Sequence, residues 1–418
     1  MRRTFSAVLA VAATALFATS ASATVLSDAV ASSELTPDQF LDAFDDAVLP
    51  GLADIGPAPS ISGDADLDAR IRAIGEQRGY RRRPLPDREL ESVGRFRLQP
   101  EAAAAWRSLQ AAANEAGHSL RLFSAFRSVE SQVSIFLGKL RATTDAAIDS
   151  RLEASAVPGY SRHHTGYAID ISASGVGDFA IRDTPSYRWL AENNFANAKA
   201  HGWVPSYPDG SRPTGPNPEP WEYVWVGATN IVCASFVTTD EIPFCDSLGS
   251  TFEDDISWLH QVGITKGCRD GRFCTDAAIT RGEAATMLWR SAGEPTSGVG
   301  IEFGDVPEHA FFAEPVRWMV ENGITTGTTP STFTPNRPLT RAEFVTFLWR
   351  LADRPPAIGP DLVFSDVAET SFARSAVAWA GELGITRGTS PSSFTPDRAV
   401  TRGETAAFLH RHALIYSG

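Results

Sequence analysis

The pattern of apolar and polar positions changes character along the chain, and beyond residue 250 it repeats. The stretches "ISWLHQVG", "VRWMVENG" and "VAWAGELG" each space apolar residues three and four apart and stop at a glycine, which predicts an amphipathic helix closed by a left-handed cap. A second helix is predicted at "TRGEAATMLWR", "TRAEFVTFLWR" and "TRGETAAFLHR". The Gly-Ile-Thr triplets begin at Gly263, Gly323 and Gly384, a period of about sixty residues, so this part is a tandem array of helical units over 251–292, 301–352 and 362–414.

Between residues 91 and 228 helical and alternating patterns mix. "PEAAAAWRSLQAAANEAG" predicts a helix opening at Pro100 and ending near Gly117, "LRLFSAFRS" a strand and a turn, and "SVESQVSIFLGKL" a helix. "GYAIDIS" alternates from Tyr167 to Ser172, with Ala168 and Asp170 on one face, and "WEYVWVG" reads as another strand. Strict alternation there turns Pro220 and Glu222 one way and Trp221 and Tyr223 the other. Helices beside an antiparallel sheet make this an α+β domain, followed by an all-α three-repeat module. Residues 24–90 carry short helical runs and the basic "RGYRRRP" and read as a helical linker region; 229–250 and 353–361 read as connectors.

Composition narrows the location and the partners. Arg2 and Arg3 precede a short apolar run, and Ala21-Ser22-Ala23 supplies the small residues of a cleavage site, so residues 1–23 read as a secretory signal; a membrane anchor is the competing reading. The formal net charge is −13, and no later stretch is apolar enough to span a bilayer. Loss of the two signal arginines takes the charge to −15, which excludes diffuse attraction for nucleic acid and leaves any anion to be held by local Arg or Lys groups or helix ends. An exported chain meets oxidising conditions, so its four cysteines are disulfide candidates, by sequence proximity Cys233 with Cys245 and Cys268 with Cys274; a zinc cluster is the competing reading.

Within the repeats, Thr280 and Glu283, Thr340 and Glu343, and Thr401 and Glu404 have capping-box spacing. Arg281, Arg341 and Arg402 stand between the capping partners at helix starts that favour an anion; an ion pair with a neighbouring unit's carboxylate competes with ligand contact. The unit resembles the S-layer homology (SLH) domain through "F-x-D", "GIT-x-G", "F-x-P" and "TR-x-E", with the first copy departing at Cys274-Thr275-Asp276. That resemblance implies a pseudo-threefold helical body binding an anionic secondary cell-wall polysaccharide, with the three arginines as contacts.

Upstream, Ser161-x-His163-x-x-Gly166-x-Ala168-x-Asp170 sets an imidazole on a loop and a carboxylate on the following strand. With "SAFRSVESQ", "WLAENNFANAKAHGWVPSYP" and "EPWEYVWVG", this string resembles the VanY-like zinc D-alanyl-D-alanine carboxypeptidases over about 140 residues. The resemblance implies His163 and Asp170 as zinc ligands, Glu219 as the catalytic base, Arg127 as the group polarising the scissile carbonyl, and Ser161 and Gln132 as substrate-positioning residues. Glu222 stands where the family has a third, histidine ligand, and strand alternation keeps it pointing as that ligand should. Two carboxylates and a neutral imidazole cancel a divalent charge, which weakens a Lewis acid and shifts preference from zinc toward harder cations such as manganese or calcium. Two readings follow: a secreted, wall-attached metallopeptidase trimming peptidoglycan stem peptides, or a non-catalytic wall-binding protein with a degenerate peptidase domain.

Overall fold

The computed structural model describes residues 25–236, 239, 242–269, 271–300, 303–357 and 364–416, so the expected signal at 1–23 lies outside the described residues. Two units separate: one runs from Ala23 to Phe236, the other holds Val237–Gly418. No described helix is long and apolar enough to cross a membrane.

The first unit is built on a four-stranded antiparallel sheet. Its strands are β3 (Leu120–Ser124), β4 (Ala168–Ala173), β5 (Trp203–Tyr207) and β6 (Glu219–Trp225), in the order β3-β4-β6-β5, and a small hairpin of β1 (Glu91–Val93) and β2 (Phe96–Leu98) precedes them. All six β4 residues are buried, Asp170 and Ser172 included. The alternation visible in "AIDIS" therefore separates a core face from a face on which Asp170 lines a cavity. Helix α3 (Pro100–Glu115), opening on a proline at its first position, buries Trp106, Leu109 and Ala113 at helical spacing. Helices α4 (Val129–Gly138), α5 (Asp145–Leu152) and α6 (Pro185–Lys199) are each started by a Ser or Thr cap, from Ser128, Thr144 and Thr184.

Residues 24–90, expected to be a helical linker region, belong to this unit. Helix α1 (Pro37–Asp45) starts from a capping box of Thr36 and Gln39 and buries Phe40, Leu41, Ala43 and Phe44. Helix α2 (Ala65–Gln77) packs Ile71 into a cluster with Phe136, Ile148, Leu152 and Tyr160. The basic stretch is no solvated tether either, since Arg83 lies 2.7 Å from Asp45, whose side chain is 1% exposed. The segment read as a connector from 229 likewise continues the fold, as α7 (Gly227–Ser235) with Ile231 and Val232 buried.

In the second unit each repeat contributes a short first helix, α8 (Glu253–Gln261), α10 (Ala313–Glu321) or α12 (Arg374–Glu382), and a second, α9 (Arg281–Ser291), α11 (Arg341–Leu351) or α13 (Arg402–Tyr416), and each second helix packs on a first helix of another repeat. The glycines after the first helices have φ of 78°, 62° and 69° at Gly263, Gly323 and Gly384, the left-handed caps expected. Capping boxes open α9 and α11, and Thr401 and Glu404 exchange the same bonds at 3.1 Å. Asp246, Asp305 and Asp366 each accept two backbone N–H bonds, from Phe273 and Cys274, Phe333 and Thr334, and Phe394 and Thr395. The first repeat's F-x-D is thus Phe244-Cys245-Asp246, and the repeat begins before the expected residue 251.

None of the four cysteines is free: Cys268 pairs with Cys274, and Cys233 and Cys245 are also disulfide-bonded. Cys268 and Cys274 occupy the positions of Thr328 and Thr334, and of Thr389 and Thr395, whose hydroxyl oxygens lie 3.4 Å apart in each pair. The first repeat covalently closes a loop that its sisters close with a hydroxyl contact.

The repeats join in a ring. Ile279 N–H donates to Val400, Val400 to Leu339 and Leu339 to Ile279, at 3.1, 2.9 and 2.9 Å. The motif arginines bind in the opposite sense: Arg281 to Glu343 at 3.2 Å, Arg341 to Glu404 at 2.6 Å and Arg402 to Glu283 at 2.9 Å. Each also donates Nε to a buried carbonyl, of Phe333, Phe394 and Phe273, and lies over that residue's ring. At 1–3% exposure these guanidiniums are interior locks between repeats, which corrects their expected place at a polymer surface. Arg341→Ala is expected to cost about 3 kcal/mol in chemical denaturation of the repeats, the lower end for a broken buried pair because Arg398 still faces Glu404. Arg398→Ala, on the exposed side, is expected to cost under about 1 kcal/mol. Equal costs for the two changes contradict the interior-lock assignment.

Candidate metal centre

His163 reaches the site from a single 3-10 turn, Arg162–Thr165, which Ser161 caps by accepting from His163 N–H and which Gly166 ends at φ 77°. A side chain at Gly166 meets Leu90 at 3.0 Å and Gln99 at 3.2 Å besides the left-handed strain, so glycine is required there. His163 Nδ1 lies 2.7 Å from the Ala125 carbonyl oxygen. A carbonyl only accepts, so Nδ1 carries the proton and Nε2 is the free ligating atom.

Asp170 and Glu222 are direct cross-strand partners on β4 and β6, which sets both carboxylates on one face. Ligand atoms of His163, Asp170 and Glu222 all lie within 4.8 Å of one another, and all three residues are buried. His163 Nε2 is 3.3 Å from Asp170 Oδ2 and 3.4 Å from Glu222 Oε2. Nε2 and Asp170 Oδ1 are nevertheless buried without a hydrogen bond of good geometry. Three donors converging without satisfying one another fit a shared divalent cation, and the mixed nitrogen and oxygen set is one zinc accepts.

Strand irregularities in the β3–β4 and β6–β5 pairings complete the arrangement. From Pro205 to Tyr207 β5 takes two steps, while their β6 partners, Tyr223 and Glu219, are four apart. Without that bulge Glu219 and Glu222, three apart, would face opposite ways; with it both line one cavity. Strict alternation along β6 thus gives way where the chemistry sits. The β3–β4 register shifts between Leu122 and Ser124, beside Asp170.

The electrostatics follow from four ionisable groups in little space. Burial, the largest single influence, disfavours a charged His163, but Asp170 and Glu222 together outweigh it and lift the imidazole to about 9. Burial also opposes a charged Glu222, yet the neighbouring His163, the Ser206 hydroxyl and the Arg162 charge bring it down to about 2. Glu219 is pushed well above the ordinary carboxylate range by burial and by Glu222 and Asp170, with Arg127 opposing. The two carboxylates demand positive charge beside His163 Nε2, a demand that a bound divalent cation would meet.

Arg127 Nη2 stands 3.6 Å from Asp170 Oδ2 and donates to Ser124 at 3.1 Å, while Nη1 donates to Gln132 Oε1 at 2.8 Å. Gln132, expected to touch substrate, is fully buried and spends its amide on Arg127, Ser155 and Ala156, so it orients the guanidinium instead. Ser161 lines the cavity, and its oxygen caps the His163 turn. The cavity, about 510 Å³, holds Arg127, His163, Asp170, Glu219 and Glu222, with Phe123, Phe179 and Trp221 in edge contact at its lip. The other histidines stay out: His164 bonds Arg127 and Gly159 backbone groups, His201 meets Ser108, and His118 stands by Trp189. Sequence reasoning missed Ser206, Arg162 and Asp45. A strand serine and a distant helix-end aspartate carry no local signal, and Arg162 sits in an unspecified motif position.

Comparison with known proteins assigns both parts of the chain to families. Residues 95–228 match the VanY D-alanyl-D-alanine carboxypeptidase family, and residues 245–285, 302–345 and 363–406 match the S-layer homology domain. At family level the chain therefore carries a VanY-like carboxypeptidase domain followed by S-layer homology repeats. A D-alanyl-D-alanine carboxypeptidase of Enterococcus faecalis is 32% identical over 158 residues, 35% of this chain and 56% of that protein, so the chain spans about half its length. The surface-layer 125 kDa protein of Lysinibacillus sphaericus is 28% identical over 163 residues, 38% of this chain and 14% of that protein. Among solved structures, a zinc complex of a mutant of the vancomycin-resistance D,D-pentapeptidase VanY is 33% identical, covering 37% of this chain and 91% of its own, with a TM-score of 0.31. The repeats make this a secreted, cell-surface chain.

Proposed function

We propose that this chain is a cell-wall-attached protein whose peptidase-like domain binds peptidoglycan stem peptides at a divalent-cation site, and that hydrolysis there is slow. The observation that carries this reading is Glu222 as third ligand. A divalent cation supplies Lewis-acid polarisation when bound, and a second carboxylate among its ligands blunts it. The repeats, by holding the domain on wall polysaccharide, raise the local concentration of stem peptides.

A working hydrolase is the second reading, favoured by Glu219 and Arg127 sharing the cavity with the three ligands. Glu219 stands where a base or acid can exchange a proton with attacking water and leaving amine, and Arg127 offers a fixed charge to a developing oxyanion.

Incubation of the full chain with a pentapeptide ending in D-Ala-D-Ala, with and without zinc, tests the proposal. Saturable, cation-dependent binding with little released alanine is expected. Release at about 10 per second, an ordinary enzymatic turnover, overturns slow hydrolysis and restores the hydrolase. Absence of both peptide and cation binding removes both readings.

A further inference from the structure

We propose that Ser206, held by Arg162 and through it by Asp45, is the positioning group that makes the Glu222 carboxylate a dedicated third ligand. The inference rests on the divalent-cation reading of the site.

A histidine ligand presents a single nitrogen, whereas a carboxylate has two equivalent oxygens and can swing between them. A carboxylate in that place needs a partner that occupies one oxygen and leaves the other. Ser206 is fully buried, at the irregular β5–β6 pairing, and its hydroxyl donates to Glu222 Oε1. Oε2 is left facing His163 Nε2 at 3.4 Å.

The direction of that hydrogen bond is enforced from behind. Arg162 Nη1 donates to Ser206 Oγ at 3.0 Å and to the Ser206 carbonyl at 2.6 Å. A guanidinium cannot accept, so the serine proton must point to Glu222. Arg162 itself has no freedom: its guanidinium lies between the rings of Phe44 and Tyr207, 5.1 and 4.5 Å from their centroids, and its side chain is 1% exposed. Its counter-charge is Asp45 at 3.5 Å, the last residue of α1, anchored in turn by Arg83 at 2.7 Å. A buried guanidinium is costly unless paired. Here, besides Asp45 and the Ser206 carbonyl, it meets a hydroxyl whose proton it directs to a metal-ligand candidate. Helix α1, outside every recognised motif, thereby contributes to the centre.

The test is zinc affinity by chelator competition and the visible absorption of the cobalt-loaded full chain, with circular dichroism as the folding control. Ser206→Ala is expected to weaken zinc binding by about 10- to 100-fold and to change the cobalt band, because an outer-shell partner of a ligand is lost. Ser206→Thr keeps the hydroxyl and is expected to restore most of the affinity. In a Glu222→His background, where no carboxylate needs orienting, Ser206→Ala is expected to change affinity by less than about twofold, as for uncoupled positions. Native affinity in Ser206→Ala overturns the proposal, and so does an undiminished loss with histidine at 222. A native chain that takes up neither zinc nor cobalt fails earlier, and removes the cation reading along with the relay.

Discussion

Glu222→His is expected to raise alanine release from a D-Ala-D-Ala pentapeptide by at least about tenfold, equivalent to about 1.4 kcal/mol of barrier. The change removes one negative charge from a ligand set of two carboxylates and one imidazole, so a divalent cation held there keeps net positive charge. Position 222 is buried and faces His163 Nε2 across 3.4 Å, so an imidazole built there meets the same point in space. Initial rates at saturating zinc, compared with the native chain at equal occupancy, give the measurement. Full occupancy with no gain in rate would mean that the carboxylate is not what limits chemistry.

Glu219→Gln is expected to act in the other direction, on whatever turnover exists. General acid–base groups contribute about 10²- to 10⁴-fold, and a loss of that size is expected both in the native chain and in the Glu222→His background. Zinc stoichiometry and peptide affinity should hold, because Glu219 lies outside the three-ligand cluster. The glutamine is nearly isosteric and cannot exchange a proton, so a retained rate excludes Glu219 as the proton carrier. Loss of metal together with rate would reassign Glu219 to the ligand set.

Much of this architecture is legible in the sequence. The strands at "LRLFS", "AIDIS" and "WEYVW", the helices after Pro100 and Ser128, and the repeat helices with their glycine caps follow from periodicity and capping chemistry, which are local. His163, Asp170 and Glu222 could be nominated from motif order, and they meet. What could not be read is non-local. The bulge that turns Glu219 to the same side as Glu222 depends on how β5 pairs with β6, and pairing leaves no trace in either strand's own pattern. The motif arginines looked like anion sites because helix starts attract anions, and nothing local said that a neighbouring repeat's glutamate would fill that role. The first repeat's F-x-D is hard to place because Phe252-Glu253-Asp254 imitates it, although Phe244 keeps nearly the spacing to Gly263 that Phe303 keeps to Gly323.

The triangle of backbone bonds among Ile279, Leu339 and Val400 changes how this tandem array behaves as material. In a linear stack the end members fray first and shortening is graded. A closed trimer of repeats has no end member. Severing the chain between the second and third copies strips a neighbour from the first as well as from the second, so proteolysis there should release the anchor in one cooperative event rather than by stepwise erosion.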